Sequence, residues 1–257
     1  MSQSEPQSAR TALVTGSARG IGRGIALSLA GTGYDVAVND IADPGETVDA
    51  VRKLGRRAIG VPADIADERQ VGDMFARVEA DFGRLDLLVN NAALEQHKPI
   101  ESFTPDEWRR LIDVNLTGAY LCSVAALPML KKAAERACIV CITSVHERVP
   151  KKGTTPYCVA KAGLNMLVKS LALEWARYGV RVVGLAPGAF ATDINRQELA
   201  DAREMYHEWI PTGRYGETRE IGDAVVWLAS DQAGYITGTT LTIDGGLTQA
   251  FHRLDMA

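Results

Sequence analysis

No run of apolar residues in this chain approaches the roughly 20 needed to cross a bilayer, so no membrane-spanning helix is expected. Basic residues are not in excess either. Lys and Arg number 28 against 32 Asp and Glu, and a formal net charge of −4 leaves no cationic footprint for nucleic acid or an anionic membrane surface. The opening stretch MSQSEPQSAR is polar and lacks the apolar centre of a signal peptide; residues 1–10 read as a short disordered arm. Cysteine is scarce. Of the four, Cys138 and Cys141 are spaced C-x-x-C, but they fall inside the strand-like run CIVCI. Residues three apart on a strand point to opposite faces, so the pair is read as buried apolar side chains, not as a redox or metal site. No metal is expected, and with Cys122 and Cys158 the set fits a reducing cytoplasm.

What is present is a rhythm. Short β-branched runs (residues 11–15, 35–39, 57–61, 85–90, 138–143, 180–186 and 240–244) alternate with amphipathic stretches such as DERQVGDMFARVEADFG. Such alternation predicts an α/β fold, a doubly wound seven-stranded parallel sheet with helices on both faces. The strand runs are apolar throughout, as strands buried on both sides must be. Nothing in the 257 residues marks a linker or repeat, so residues 11–257 are taken as one domain. After the PG at 187–188 the rhythm breaks, and the segment at about 189–216 reads as a lid.

The first strand runs into TGSARGIGRGIA, with Gly16, Gly20 and Gly22 opening a helix. Glycines are needed where backbone turns sharply and must approach a diphosphate, which the helix N-terminus then attracts. The end of the second strand should reach the adenosine ribose, and Asp40 stands there, followed by Ile41. A carboxylate accepts from ribose hydroxyls and repels a 2′-phosphate, which favours NAD; Arg19 in the turn favours NADP, and Asp40 is given the greater weight. The other reading of Asp40 is a loop carboxylate capping the next turn.

Tyr157 and Lys161 are four apart and would share a helix face, with Ser144 ending the apolar run before them. Alone, that pair is equally a solvated helix face. In order along the chain, however, stand TGSARGIG, the aspartate of PADI, NNAA, VNLTG, Ser144, YCVAK, PG with Thr192, and DGG. From about residue 10 to 250 the chain resembles the short-chain dehydrogenases/reductases, in their single-domain branch. Ala93, where the family usually has glycine, and Val183, where it usually has asparagine, depart from the pattern.

The resemblance implies a Rossmann fold and an NAD(P)-dependent oxidoreductase. Tyr157 would be the general acid/base and Lys161 its partner, Ser144 the donor to the substrate oxygen, and Asn115 the fourth member, distorting its helix and holding a water. A tyrosine pKa of about 10 would be lowered by the neighbouring ammonium and the positive nicotinamide ring together. For the cofactor it implies Gly16, Arg19, Gly20, Ile21, Gly22, Asp40, Ile41, Asp64, Ile65, Asn91, Ala92, Ala93, Tyr157, Lys161, Pro187, Gly188 and Thr192, with Asn90 lining the cleft. Asp64 is alternatively a helix N-cap near DERQ.

Within the family, NNAALE, SVHE, PGAFATDIN and the ending TGTTLTIDGGLT are most similar to bacterial glucose 1-dehydrogenases. Glu95, His146 and Asn195 are then the candidates for binding a sugar or polyol, with Tyr206, His207 and Trp209 in the lid. The plainer readings are Glu95 paired with Lys98 or His97, and His146 bonded to a loop carbonyl. Arg148, Lys151 and Lys152 raise an anionic substrate as an alternative. A 3-oxoacyl-carrier-protein reductase is the rival enzyme, and a non-catalytic NAD(H)-binding regulator the rival of another class. The family resemblance also implies a homotetramer, with Phe251 or His252 of the tail as contacts.

Overall fold

A computed structural model of the protein describes residues 9–133, 137–192 and 209–250. Its strands β1 (Thr11–Val14), β2 (Asp35–Val38), β3 (Ala58–Gly60), β4 (Leu87–Asn90), β5 (Cys138–Ile142), β6 (Arg181–Pro187) and β9 (Thr240–Ile243) form one sheet in the order β3-β2-β1-β4-β5-β6-β9. Every pairing is parallel. All seven expected strands are present, each within two residues of its predicted bounds. Strands β7 (Phe190–Ala191) and β8 (Gly216–Glu217) make a separate two-stranded ladder at the edges of the expected lid, whose residues 193–208 lie outside the described residues.

The helices divide between the faces. α1 (Gly20–Gly31), α2 (Gly45–Lys53) and α7 (Thr218–Leu228) cover one side, packed on Val14, Val36, Leu87, Val140 and Leu185. α3 (Glu68–Phe82), α5 (Gly118–Ala133) and α6 (Thr155–Trp175) cover the other, packed on Leu13, Leu88, Ile139 and Val182. Consecutive strand residues feed opposite cores, which is why the strands are apolar throughout. Cys138 belongs to the first core and Cys141 to the second, so the C-x-x-C pair is split across the sheet. Burial pushes both thiols up to about 11.

Two expectations are corrected. Arg10 does not belong to a disordered arm: its carbonyl accepts from Asp35 N, and its guanidinium meets Asp231 at 3.3 Å and the Tyr34 hydroxyl at 3.4 Å. The second concerns α4 (Pro105–Ile112), which continues through a π turn (Asp113–Thr117) into α5. The resulting 29-residue helix is long and apolar enough by composition to cross a bilayer. Its apolar side, with Ala119, Cys122, Ala126, Met129 and Leu130, is nonetheless buried in the second core.

The switch in strand order falls between β1 and β4, so the carboxyl ends of these two strands open a crevice. Helix α1 is held over it by its contact with α7. A Cβ on Gly222 would stand 2.2 Å from Ser28 Oγ and 3.0 Å from the Gly24 carbonyl oxygen. Gly222→Val is therefore expected to cost roughly 1–3 kcal/mol by overpacking and to lower the midpoint of thermal unfolding. Gly72→Ala, in α3 with open space around it, should instead raise stability by up to about 1 kcal/mol. Thermal unfolding followed by circular dichroism distinguishes the two.

Candidate active site

At the end of β1 the chain turns on Gly16 (φ 62°) and Gly20 (φ 59°), conformations that favour glycine. A Cβ on Gly16 would lie 2.6 Å from Ala92 Cα, and one on Gly22 would lie 2.1 Å from the Gly16 carbonyl oxygen. Helix α1 then starts without a side-chain cap, because Arg19 at the cap position makes none, leaving the first N–H groups of the helix for an anion. The glycine cradle and the bare helix N-terminus fit a dinucleotide diphosphate.

This turn is bracketed by β4. Asn91 Nδ2 donates to the carbonyls of Thr15 (2.8 Å) and Gly16 (2.9 Å), while Thr15 Oγ1 accepts from Asn91 N and Ala92 N. Asp40 completes the bracket from β2. Its Oδ2 accepts from Ala18 N at 3.0 Å and its Oδ1 from Ala42 N at 3.1 Å. The carboxylate thus caps the following turn, as its plainer reading had it, and also ties that turn to the glycine loop. Each oxygen retains a lone pair for a ribose hydroxyl. Ile41 is exposed beside it.

Several expected cofactor residues have other partners. Asn90 is buried, with Nδ2 donating to Ser123 Oγ at 3.0 Å, so it joins β4 to α5. Asp64 accepts from Ala66 N and pairs with Arg110 at 2.8 Å. The cap of α3 is Asp67, which accepts from Gln70 N, so the alternative reading of Asp64 as that cap falls. Ile65 lies in the core, where a Cβ on Gly118 would come within 2.8 Å of it. Ala93 is exposed after β4. On the other side of the crevice, Gly188 follows Pro187 with its amide bonded to Ile243 O at 2.9 Å. A Cβ there would meet Asp244 Cβ at 2.6 Å, so the PG and DGG segments touch.

The chemistry-bearing residues stand beside this crevice. Ser144 directly follows Thr143 at the end of β5 and caps a short 3-10 turn, Val145–Glu147, by accepting from His146 N at 3.1 Å. Its hydroxyl faces Tyr157, whose phenolate form a hydrogen bond from it would favour. Tyr157 and Lys161 share a face of α6, with Lys161 Nζ 5.5 Å from the tyrosine ring centroid. Lys161 is buried and donates to Ile142 O at 2.8 Å, and burial depresses its ammonium to about 8. Burial also pushes Tyr157 up to about 12, outweighing its hydrogen bond to Ser144. The neighbouring ammonium by itself therefore does not offset the burial of Tyr157. At neutral pH the phenol keeps its proton and is set to donate it.

Asn115 lies in the π turn, so the helix is distorted where expected. Its amide is committed, however: Nδ2 donates to Leu94 O (2.7 Å) and Leu111 O (2.9 Å), and Oδ1 accepts from Leu94 N (3.2 Å). Asn115 thereby pins the loop after β4.

At the mouth, Glu95 pairs with Lys151 at 2.9 Å, not with Lys98 or His97; Lys98 pairs with Glu107 instead. Arg148 Nε meets Glu147 Oε1 at 3.2 Å, and Lys152 is exposed. His146 Nδ1 lies 2.9 Å from Val149 O. A carbonyl only accepts, so Nδ1 carries the proton and Nε2 of the neutral ring is an acceptor. The imidazole stands edge-on to Tyr157, with centroids 6.5 Å apart. Asn195, Tyr206, His207, Phe251 and His252 lie outside the described residues, and Trp209 is exposed. Lys151 as the partner of Glu95 escaped the sequence reading, because 56 residues separate the two.

Two outcomes follow from this geometry. Tyr157→Phe should lower turnover by roughly 10²–10⁴ with the fold intact, the range for losing a general acid. The kcat/KM for carbonyl reduction should fall as the pH rises through about 8, where Lys161 loses the charge that assists proton donation. Lys161→Arg, which stays charged, should lack that inflection in the measured pH–rate profile.

A family model described as Enoyl-(Acyl carrier protein) reductase matches residues 16–248. The chain is 40% identical over 244 residues to 3beta-hydroxysteroid dehydrogenase 1 of Eggerthella lenta, covering 93% of this chain and 94% of that one. It is 35% identical to glucose 1-dehydrogenase 2 of Bacillus subtilis, covering 93% and 95%. The structure superposes on gluconate 5-dehydrogenase from Burkholderia cenocepacia, solved with NADP and tartrate, with a TM-score of 0.86, 35% identity and coverage of 94% and 96%. Likeness of this order, over nearly the whole of each chain, goes beyond a shared sheet: the chain belongs to the short-chain dehydrogenase/reductase family, oxidoreductases that bind a nicotinamide cofactor and act on alcohols and carbonyls.

Proposed function

We propose that this enzyme is an NAD-preferring dehydrogenase of a neutral sugar or polyol, similar in action to a glucose 1-dehydrogenase. The observation that carries the substrate reading is the charge balance at the mouth. Lys151 is neutralised by Glu95 and Arg148 by Glu147, so two of the three cations there are already engaged. A polyhydroxylated substrate needs acceptors and donors more than a net charge. Glu95 and the Nε2 of His146 supply acceptors, and Ser144 supplies a donor.

Bound nicotinamide supplies the hydride acceptor or donor. Ser144 donates to the substrate oxygen, where negative charge grows during transfer. Tyr157 gives or takes the proton on that same oxygen, and buried Lys161 supplies a cation beside the phenol. Support for NAD comes from Asp40, whose carboxylate sits beside the glycine turn without a basic residue next to it in sequence. A 2′-phosphate would meet that charge at close range.

The outer faces of α5 and α6 support a homo-oligomer, read here as a tetramer. Val159, Met166 and Leu173 recur every seventh residue along α6 and are exposed, as are Tyr120 and Val124 on α5. An apolar stripe of that kind suits burial against a second copy.

The test follows the appearance of reduced nicotinamide by absorbance with D-glucose, other aldoses and polyols, supplying NAD or NADP separately. Turnover of a sugar with NAD at least about tenfold more efficient than with NADP, ~1.4 kcal/mol of discrimination, is the expected result. Asp40→Asn, which removes the charge and keeps an acceptor, should narrow that ratio. Reduction of a 3-oxoacyl thioester by NADPH, with no sugar turned over, would refute the proposal.

A further inference from the structure

Glu147 closes the 3-10 turn that begins after Ser144, and its side chain is wholly buried. A buried carboxylate is costly unless its oxygens are well partnered. Here Oε1 accepts from Asn165 Nδ2 at 2.7 Å and faces Arg148 Nε at 3.2 Å, while Oε2 is buried with no hydrogen-bond partner among the described residues. Burial pushes the carboxyl up from its ordinary range. An apolar side chain would fill the position at lower cost, so packing alone gives no reason for a glutamate.

Its partner supplies a reason. Asn165 lies on α6, four residues beyond Lys161 and eight beyond Tyr157, which places all three on one helix face. Asn165 is itself buried, and its Oδ1 stands 3.5 Å from Thr240 Oγ1 of β9. One short hydrogen bond therefore joins the turn capped by Ser144 to the helix face that carries Tyr157 and Lys161. Ser144 caps that turn and its carbonyl accepts from Glu147 N at 2.9 Å, so the two ends of the turn are tied to each other.

We propose that Glu147 is a positioning residue: anchored on Asn165, it sets the place of the Ser144 hydroxyl relative to the Tyr157 phenol. This rests on the reading of Ser144 and Tyr157 as the reacting pair. The Glu147–Asn165 bond matters through its acceptor oxygen, and its loss is felt only while Ser144 has a hydroxyl to misplace.

The experiment is a double-mutant cycle in steady-state kinetics, run with whichever of D-glucose with NAD or a 3-oxoacyl thioester with NADPH is turned over. Glu147→Ala should lower kcat about tenfold or more while the KM for the dinucleotide stays within about twofold. Glu147→Gln, whose amide oxygen still accepts from Asn165, should recover most of that loss. In a Ser144→Ala background, Glu147→Ala should cost less than about twofold further. An equal loss in both backgrounds would overturn the proposal, since Glu147 would then act on the fold at large. So would a Gln variant no better than Ala. Should Glu147→Ala fail to fold, Asn165→Ala takes its place in the cycle. Wild-type turnover by Ser144→Ala alone would overturn the catalytic assignment, and this proposal with it. A crystal structure of the Glu147 variant gives a readout independent of substrate: a Ser144 hydroxyl displaced from Tyr157 is expected, and an unmoved one refutes the role.

Discussion

The close approach of Gly16 to Ala92 is the constraint on which the rest of the crevice depends. Two loops from the ends of β1 and β4 meet with less room than a single methyl group would need. Asn91 and Thr15 lock the meeting with four hydrogen bonds. Because the strand order switches between β1 and β4, those loops diverge above the contact, and the divergence is the crevice itself. Asp40 from β2 and Asn115 from the π turn then pin the outer ends of the same two loops. The cofactor cleft is thus a packing feature first, and its polar side chains serve largely to hold backbone in place.

Burial governs the chemistry in the same way. Lys161 and Tyr157 sit at the end of an apolar sheet, where both charged forms are disfavoured: the ammonium is depressed to about 8 and the phenol raised to about 12. The pair therefore begins with a protonated phenol and a cation that is readily lost. At the mouth, by contrast, the charges are paired, Lys151 with Glu95 of another loop and Arg148 with its neighbour Glu147.

The parts legible from the sequence were those written at short range. Strands with apolar runs, helices of period 3.6, glycines at a strand end, and Tyr157 four residues before Lys161 are all local patterns. Covalent geometry alone converts each into a face or a turn. The split of Cys138 from Cys141 followed from the same period-two alternation, and the sheet bears it out. Among the described residues, the seven strands and the doubly wound order needed only that alternation and the handedness of crossovers.

Other assignments turned on which groups meet across long stretches of chain. Asp64 faces Arg110 and leaves the cap of α3 to Asp67; Asn90 turns to Ser123; Glu95 finds Lys151; Glu147 finds Asn165. Each of these side chains had several chemically equivalent partners within reach of a sequence argument, and spacing along the chain does not rank them. The sequence by itself determined the fold class, the glycine turn and the order of the reactive residues, because backbone sterics and periodicity act within a few residues. Only the tertiary structure decided which carboxylates are free, which amides are committed and how the protons are held, because those depend on burial and on contacts between segments far apart in the chain.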